Sequence, residues 1–274
     1  HINAGGTISP GSPTGIVGEL TVGALLFDGG TYAANLDGDT WDQINTPGIV
    51  NVKVAGTPGV FILSQTGTQS AGAIYTFINN TSVVTIASPP LLNAPEGNSI
   101  LVSGLQTAYY SYLGGNGNDF ILAVAGDVVF NGDVEVGIDD NVFLVERSGA
   151  NLVTWRDGSI IDQRLFIAVG SLTINGLTGN DILTVDLTNG DAVPVGGILF
   201  NGGTHRVTGP NDRLEILDGS PEDVTYNYTN ANDGNVVMSA YGTVSYTGLE
   251  PVLTDFDIAP TSTVFNLPAA ASVV

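Results

Sequence analysis

Gly114-Gly115-Asn116-Gly117-Asn118-Asp119-Phe120-Ile121-Leu122 has the form Gly-Gly-x-Gly-x-Asp-x-apolar-x, the nonapeptide whose stacked turns bind calcium. Calcium takes about six to eight oxygen ligands at roughly 2.3–2.6 Å, and such turns offer Asp carboxylates and Gly carbonyls from successive coils. The tandem is missing here. A partial second copy, Gly179-Asn180-Asp181, lies far outside a nonapeptide spacing. Asn118, Asp119 and Asp181 are therefore the candidate metal ligands, with Ca2+ as the ion. The competing reading is a tight turn in which Asn and Asp cap their own backbone. Asp37-Gly38-Asp39-Thr40-Trp41-Asp42 and the group Asp133, Glu135, Asp139, Asp140 are further acid clusters. These read as solvated loops before they read as cation sites.

Catalytic constellations are poorly supplied. A polysaccharide lyase needs a basic residue to abstract or steer a proton, and Lys53, Arg147, Arg156, Arg164, Arg206 and Arg213 are the whole stock of Lys and Arg. Arg206, Arg213 and His205 flank the acidic turn Asn211-Asp212, where local charge compensation explains them as well. A hydrolase needs paired carboxylates at a suitable separation, but with 27 acids some pair is inevitable. No Gly-x-Ser-x-Gly elbow accompanies the two His residues. The expectation is a non-catalytic protein, with a carbohydrate-active lyase or hydrolase as the alternative. Tyr109-Tyr110-Ser111-Tyr112 alternates like a strand, so one face buries a ring and the other exposes one for glycan stacking or plain surface. The sequons at Asn79 and Asn227 arise readily by chance in an Asn/Thr-rich chain and carry no weight.

The elements that must position these residues follow from composition. The 274 residues fit one long or two ordinary domains. Six Lys and Arg against 27 Asp and Glu give a net charge of −21. That excludes nucleic-acid binding by phosphate neutralisation and attraction to an anionic membrane surface. The absence of Cys rules out disulfides and thiolate metal sites. A hydrophobic share of 43% argues against disorder, and no apolar run reaches the length of a spanning helix. His1-Ile2-Asn3-Ala4-Gly5-Gly6 has neither the basic nor the apolar region of a signal peptide. The chain reads as processed or as a piece of something longer. An acidic, Cys-free, Lys-poor, Gly/Thr/Asn-rich composition fits a bacterial extracellular protein.

Helix periodicity is almost absent, whereas short β-branched runs recur. Ile49-Val50-Asn51-Val52-Lys53-Val54, Val60-Phe61-Ile62-Leu63 and Phe120-Ile121-Leu122-Ala123-Val124 are examples, each bounded by Gly, Asn, Asp or Pro. The chain is therefore all-β. A unit recurs: strand, Asn/Asp-Gly, variable loop, acidic turn, strand. Leu172–Gly176 leads to Asn180-Asp181 and Ile182–Val185. Ile198–Gly202 leads to Asn211-Asp212 and Arg213–Ile216. Val128–Gly132 leads to Asp139-Asp140-Asn141 and Val142–Val145, and Leu25–Gly29 is a weaker copy. Asn175 to Asn201 is 26 residues, close to one coil of a β-solenoid in which neighbouring coils complete each other's core. Asn and Gly both tolerate φ > 0, as a sharp corner requires. Hairpins are the rival reading of Asn-Gly, but the following strand does not begin within two residues.

Asn3-Ala4-Gly5-Gly6-Thr7-Ile8-Ser9-Pro10-Gly11-Ser12, Gly18–Val22, Leu25–Tyr32 and Asp42-Gln43-Ile44 resemble the passenger repeat of autotransporter adhesins. Tyr75–Asn80 and Tyr109–Asp119 are similar to the segment C-terminal to that repeat in giant bacterial surface proteins. Residues from about 126 to 253, with Asn175–Asp181 and Tyr226–Gly234, resemble another module of such proteins. The resemblance covers most of the chain and implies a right-handed parallel β-helix (β-solenoid) in a secreted or surface-displayed protein. It departs in lacking the C-terminal membrane barrel of an autotransporter.

The expected organisation is a passenger-repeat-like module over 1–125, a second β module over 126–253, and an extended tail over 254–274. The expected function is a structural or adhesive module of a bacterial surface protein or fibre. Surface glycans are candidate partners. An uncharged apolar tail can cover the chain's own end coil or add to a neighbour's edge, so self-association or continuation into further repeats is expected.

Overall fold

The computed structural model describes residues 1–11, 16–87, 90–102, 106–135, 139–204, 211–249 and 254–268. The described residues form strands, turns and short 3-10 segments such as Val54–Gly56 and Phe166–Ala168, with no α-helix among them. The all-β class follows from the pattern of β-branched and aromatic residues alternating with turn formers. The chain divides into two compact units, residues 1–126 with 162–168, and residues 127–161 with 169–274.

In the first unit the chain returns to each of three sheets after about two to three dozen residues. Ile2 lies opposite Phe27, and Leu25 opposite Val50, both in parallel pairs. Thr7 pairs in parallel with Thr31, and Thr31 with Val60. Leu20 pairs with Ile44, and Ile44 with Ile78. This parallel stacking gives way to an antiparallel meander. Ser99–Val102, Gln106–Gly114 and Asp119–Val124 pair in turn, and the last of these runs antiparallel to Ile74–Asn80. The core is aromatic. Phe61 lies 5.4 Å from Tyr32, 5.2 Å from Phe77 and 5.0 Å from Phe120, centroid to centroid. Phe120 stacks at 4.6 Å on Tyr112 and at 5.8 Å on Tyr110. Offset and edge-on ring pairs of this kind add attraction beyond their buried area. Segment 162–168 joins this unit through Arg164, which is buried in a two-pronged pair with Asp162 and donates to the Gly72 carbonyl at 2.5 Å.

In the second unit Val142–Ser148, Ile182–Asp186, Arg213–Leu217 and Thr254–Asp257 form one parallel stack. Val169–Thr178, Ile198–Thr204 and Gly242–Thr247 form another. Strand residues alternate inward and outward, so Leu183, Val185, Leu214 and Ile216 are buried while their neighbours are half-exposed. Antiparallel pairs are interleaved. Val142–Ser148 pairs with Asn151–Arg156, and Gly234–Met238 pairs with both Asp223–Tyr228 and Gly242–Thr247. Parallel stacks and hairpins thus coexist in several sheets. Within the segment expected as a tail, Thr254–Asp257 and Ser262–Asn266 are strands that pair in parallel with this chain's own Arg213–Leu217 and Asp223–Tyr228.

Candidate functional site

The Asn-Gly units show what each residue does. Asn175 and Gly176 lie within the strand Val169–Thr178, and Asn201 and Gly202 within Ile198–Thr204. The left-handed backbone expected of the pair falls instead on the next position: Asp133, Leu177 and Gly203, with φ of 52°, 81° and 102°. The glycines are needed for space. A Cβ on Gly176 would stand 2.4 Å from Asp181 Oδ2 and 2.5 Å from the Gly202 carbonyl oxygen. One on Gly202 would meet Asp212 Oδ2 at 2.5 Å, and one on Gly132 would meet Asn141 Oδ1 at 2.4 Å. Each acidic or amide side chain therefore folds back under its own unit's glycine.

Those side chains form a buried ladder. Asn141, Asp181 and Asp212 each directly precede a strand, and Val142, Ile182 and Arg213 are aligned in register. Asp181 Oδ1 accepts the Asn141 N–H at 2.8 Å, and Asp212 Oδ1 accepts the Asp181 N–H at 2.7 Å. Asp140 Oδ1 similarly accepts the Asn180 N–H at 2.9 Å. Asp181 and Asp212 are fully buried. Asp181 Oδ2 has no hydrogen-bond partner among the described residues. Burial pushes the Asp181 carboxyl up to about 7; the Asn141 N–H opposes this, and Asp212, Asp133 and Asp140 add to it by repulsion. Protonation of this carboxyl removes the buried charge.

On the outside an amide ladder runs parallel to the carboxyl one. Asn175 Nδ2 donates to Asn131 Oδ1 at 2.8 Å, Asn201 Nδ2 to Asn175 Oδ1 at 2.6 Å, and Thr247 Oγ1 to Asn201 Oδ1 at 2.8 Å. Sequence reasoning missed both ladders. The signal was present as Asn-Gly at one fixed strand position and Asx immediately before the next strand.

Asp119 repeats the corner in the first unit. Its Oδ1 accepts the Asn80 N–H at 2.7 Å, and a Cβ on Gly115 would stand 2.1 Å from Oδ2. Burial raises its carboxyl to about 6, moderated by that N–H. Asn118 donates through Nδ2 to the Ser82 carbonyl. Asp42, expected in a solvated acidic loop, is fully buried and accepts the N–H groups of Gly18 and Asn35 at 2.7 and 2.9 Å. Asn118 and Asp119 thus sit together at one corner of the first unit, and Asp181 in the ladder of the second. Among the described residues no group of three or more His, Cys, Asp or Glu is arranged to hold a metal ion.

The remaining candidates occupy structural positions. Tyr110 and Tyr112 are both buried, and the half-buried Tyr109 packs beside Ile121 and Ala123, so the run presents no exposed ring. Arg213 pairs with Glu215 at 2.5 Å, Arg156 donates to the Asn131 carbonyl at 3.1 Å, and Arg147 to the Asp191 and Gly149 carbonyls at 3.1 and 2.9 Å. His205 and Arg206 lie outside the described residues. No known protein family, curated protein or solved structure matches the chain.

Proposed function

We propose that the chain is a structural or adhesive module of a bacterial extracellular surface protein or fibre, with its parallel stacks forming coils of a right-handed β-solenoid. The observation that carries this reading is the pair of ladders across the second unit. Polar residues that could do chemistry there are instead held to backbone N–H groups or to the same residue type on the next strand. Such contacts fix register between stacked strands, where a one-residue slip would turn every side chain to the other face. Perturbed carboxyls often mark active sites, but Asp181 and Asp212 are closed to solvent and so to a substrate.

The strand Ser262–Asn266 supports association at the far edge of its sheet. Its residues are exposed, Phe265 stacks on Tyr226 at 4.9 Å, and Asn266 Nδ2 extends an amide ladder to Asn227 Oδ1 at 2.7 Å. A further repeat or a second copy adds there by strand pairing. The test is an activity screen on acidic and neutral polysaccharides, read as release of reducing ends and of unsaturated products. The structural reading expects no turnover. Turnover at a rate set by a described residue would replace it with the lyase or hydrolase reading.

A further inference from the structure

An open cavity of about 320 Å³ in the first unit is lined by Val17, Gly18, Glu19, Asp39, Thr40, Trp41 and Gln43. Its volume is at the small end of the roughly 300–1,000 Å³ range of ligand sites. The floor is rigid. The half-buried Trp41 donates its indole N–H to the Thr76 carbonyl at 2.9 Å and packs edge-on against Tyr75 at 5.4 Å. Asp39 stands at the tip of the hairpin joining Thr31–Asp37 to Thr40–Trp41. Its carboxylate accepts from Ser70 N, Ser70 Oγ and Tyr75 Oη at 2.9, 2.5 and 2.6 Å. These bonds hold it below the usual carboxylate range and keep it ionised. Glu19 accepts from the Asn45 amide through Oε1, and its side chain is exposed.

An aromatic plate beside carboxylates and an amide is an amphipathic surface of specific shape. The part of the half-buried indole that lines the groove offers apolar surface to the C–H face of a ring. The acids accept hydroxyl protons, and the Gln43 amide both donates and accepts. Two carboxylates, with no cation among the described lining residues, repel acidic sugars and phosphates. We infer that this groove is a binding site for a neutral, hydroxyl-rich saccharide, of one or two rings by its volume. The preorganised plate and the fixed Asp39 lower the ordering cost of binding. The inference deepens the adhesive side of the proposed function and can fail while the structural side stands.

The test is a glycan array carrying neutral and acidic oligosaccharides, followed by calorimetry of the full chain with the best neutral ligand. The wild type should retain neutral glycans. Trp41→Ala should weaken the best of them at least tenfold, Trp41→Phe should restore part of the loss, and Gln43→Ala should weaken it severalfold. Glu19→Gln and Gln43→Ala alter groove side chains outside the buried core, so they keep the test valid if Trp41→Ala fails to fold by circular dichroism. Retention of acidic glycans alone, of no glycan, or of neutral glycans unaffected by any of these variants would overturn the inference. None of those results is polysaccharide turnover, so they leave the structural reading to its own test.

Discussion

The two units hold stacked strands in place with a different balance of the same means: corner carboxyls occur in both, at Asp42 and Asp119 in the first and at Asp181 and Asp212 in the second. The first relies on rings. Phe61, Phe77, Tyr110, Tyr112 and Phe120 form one interlocked cluster. The second buries mostly aliphatic residues such as Leu172, Ile174, Leu183, Val185, Leu214 and Ile216. It adds position-specific polar ladders at the corners. Ring packing is strong but tolerates shifts. A ladder contributes less energy per contact, about 0.5–1.5 kcal/mol for a typical hydrogen bond, yet admits only one register. Energy and register are therefore supplied by different residues, and the two units should respond to different substitutions.

The largest effect should come from the ring cluster. Phe120 is fully buried against four other aromatic rings, and Phe120→Ala should cost about 3–5 kcal/mol by lost transfer energy and cavity formation. Denaturant unfolding measures this, and a loss under about 1 kcal/mol, the size of an average substitution, would remove the ring cluster as the first unit's main support. Gly176→Ala sharpens the other side of the comparison. Its φ is not in the left-handed range, so in open surroundings Ala would be neutral or stabilising there. Here the new methyl meets Asp181 and the Gly202 carbonyl, and overpacking of this kind costs about 1–3 kcal/mol. Neutral or stabilising behaviour would show that the glycine is not there for space.

Much of this was legible in the sequence. The all-β class, the repeated strand–Asn-Gly–acidic turn–strand unit and the coil-length spacing from Asn175 to Asn201 all rest on local pattern, which one sequence displays directly. The antiparallel meander of the first unit was not, because Gln106–Gly114 and Asp119–Val124 have the same strand character whichever direction their neighbours run. The fate of the acids was hidden for a related reason. Asp42 and Asp181 look like solvent-facing turn residues until the neighbouring strand brings an N–H to them. Trp41 passed as part of an acidic loop, since only tertiary contacts with Tyr75 and Thr76 turn it into a plate.

The most direct test of the corner carboxyls is the pH dependence of stability. Asp181 and Asp119 titrate near 7 and near 6 in the folded chain against an ordinary value of 3.8. Between those values the folded state binds more protons than the unfolded state, so their contribution makes stability fall as pH rises. Asp39 and Asp233 are shifted the other way, and their contribution is lost only on acidification through values below 3.8. Asp181→Asn retains the acceptor for the Asn141 N–H and copies the residue type that Asn141 itself places on the ladder. The measurement is the melting temperature of wild type and Asp181→Asn from pH 5 to 8, with chelator and with calcium. A protonated structural carboxyl predicts a wild-type curve that falls with pH, a flatter one for the variant with the gap between them changing most on the way to pH 7, and no effect of calcium on either. Parallel curves, or a wild-type curve that calcium raises at pH 8 while the variant's is unmoved, would contradict it.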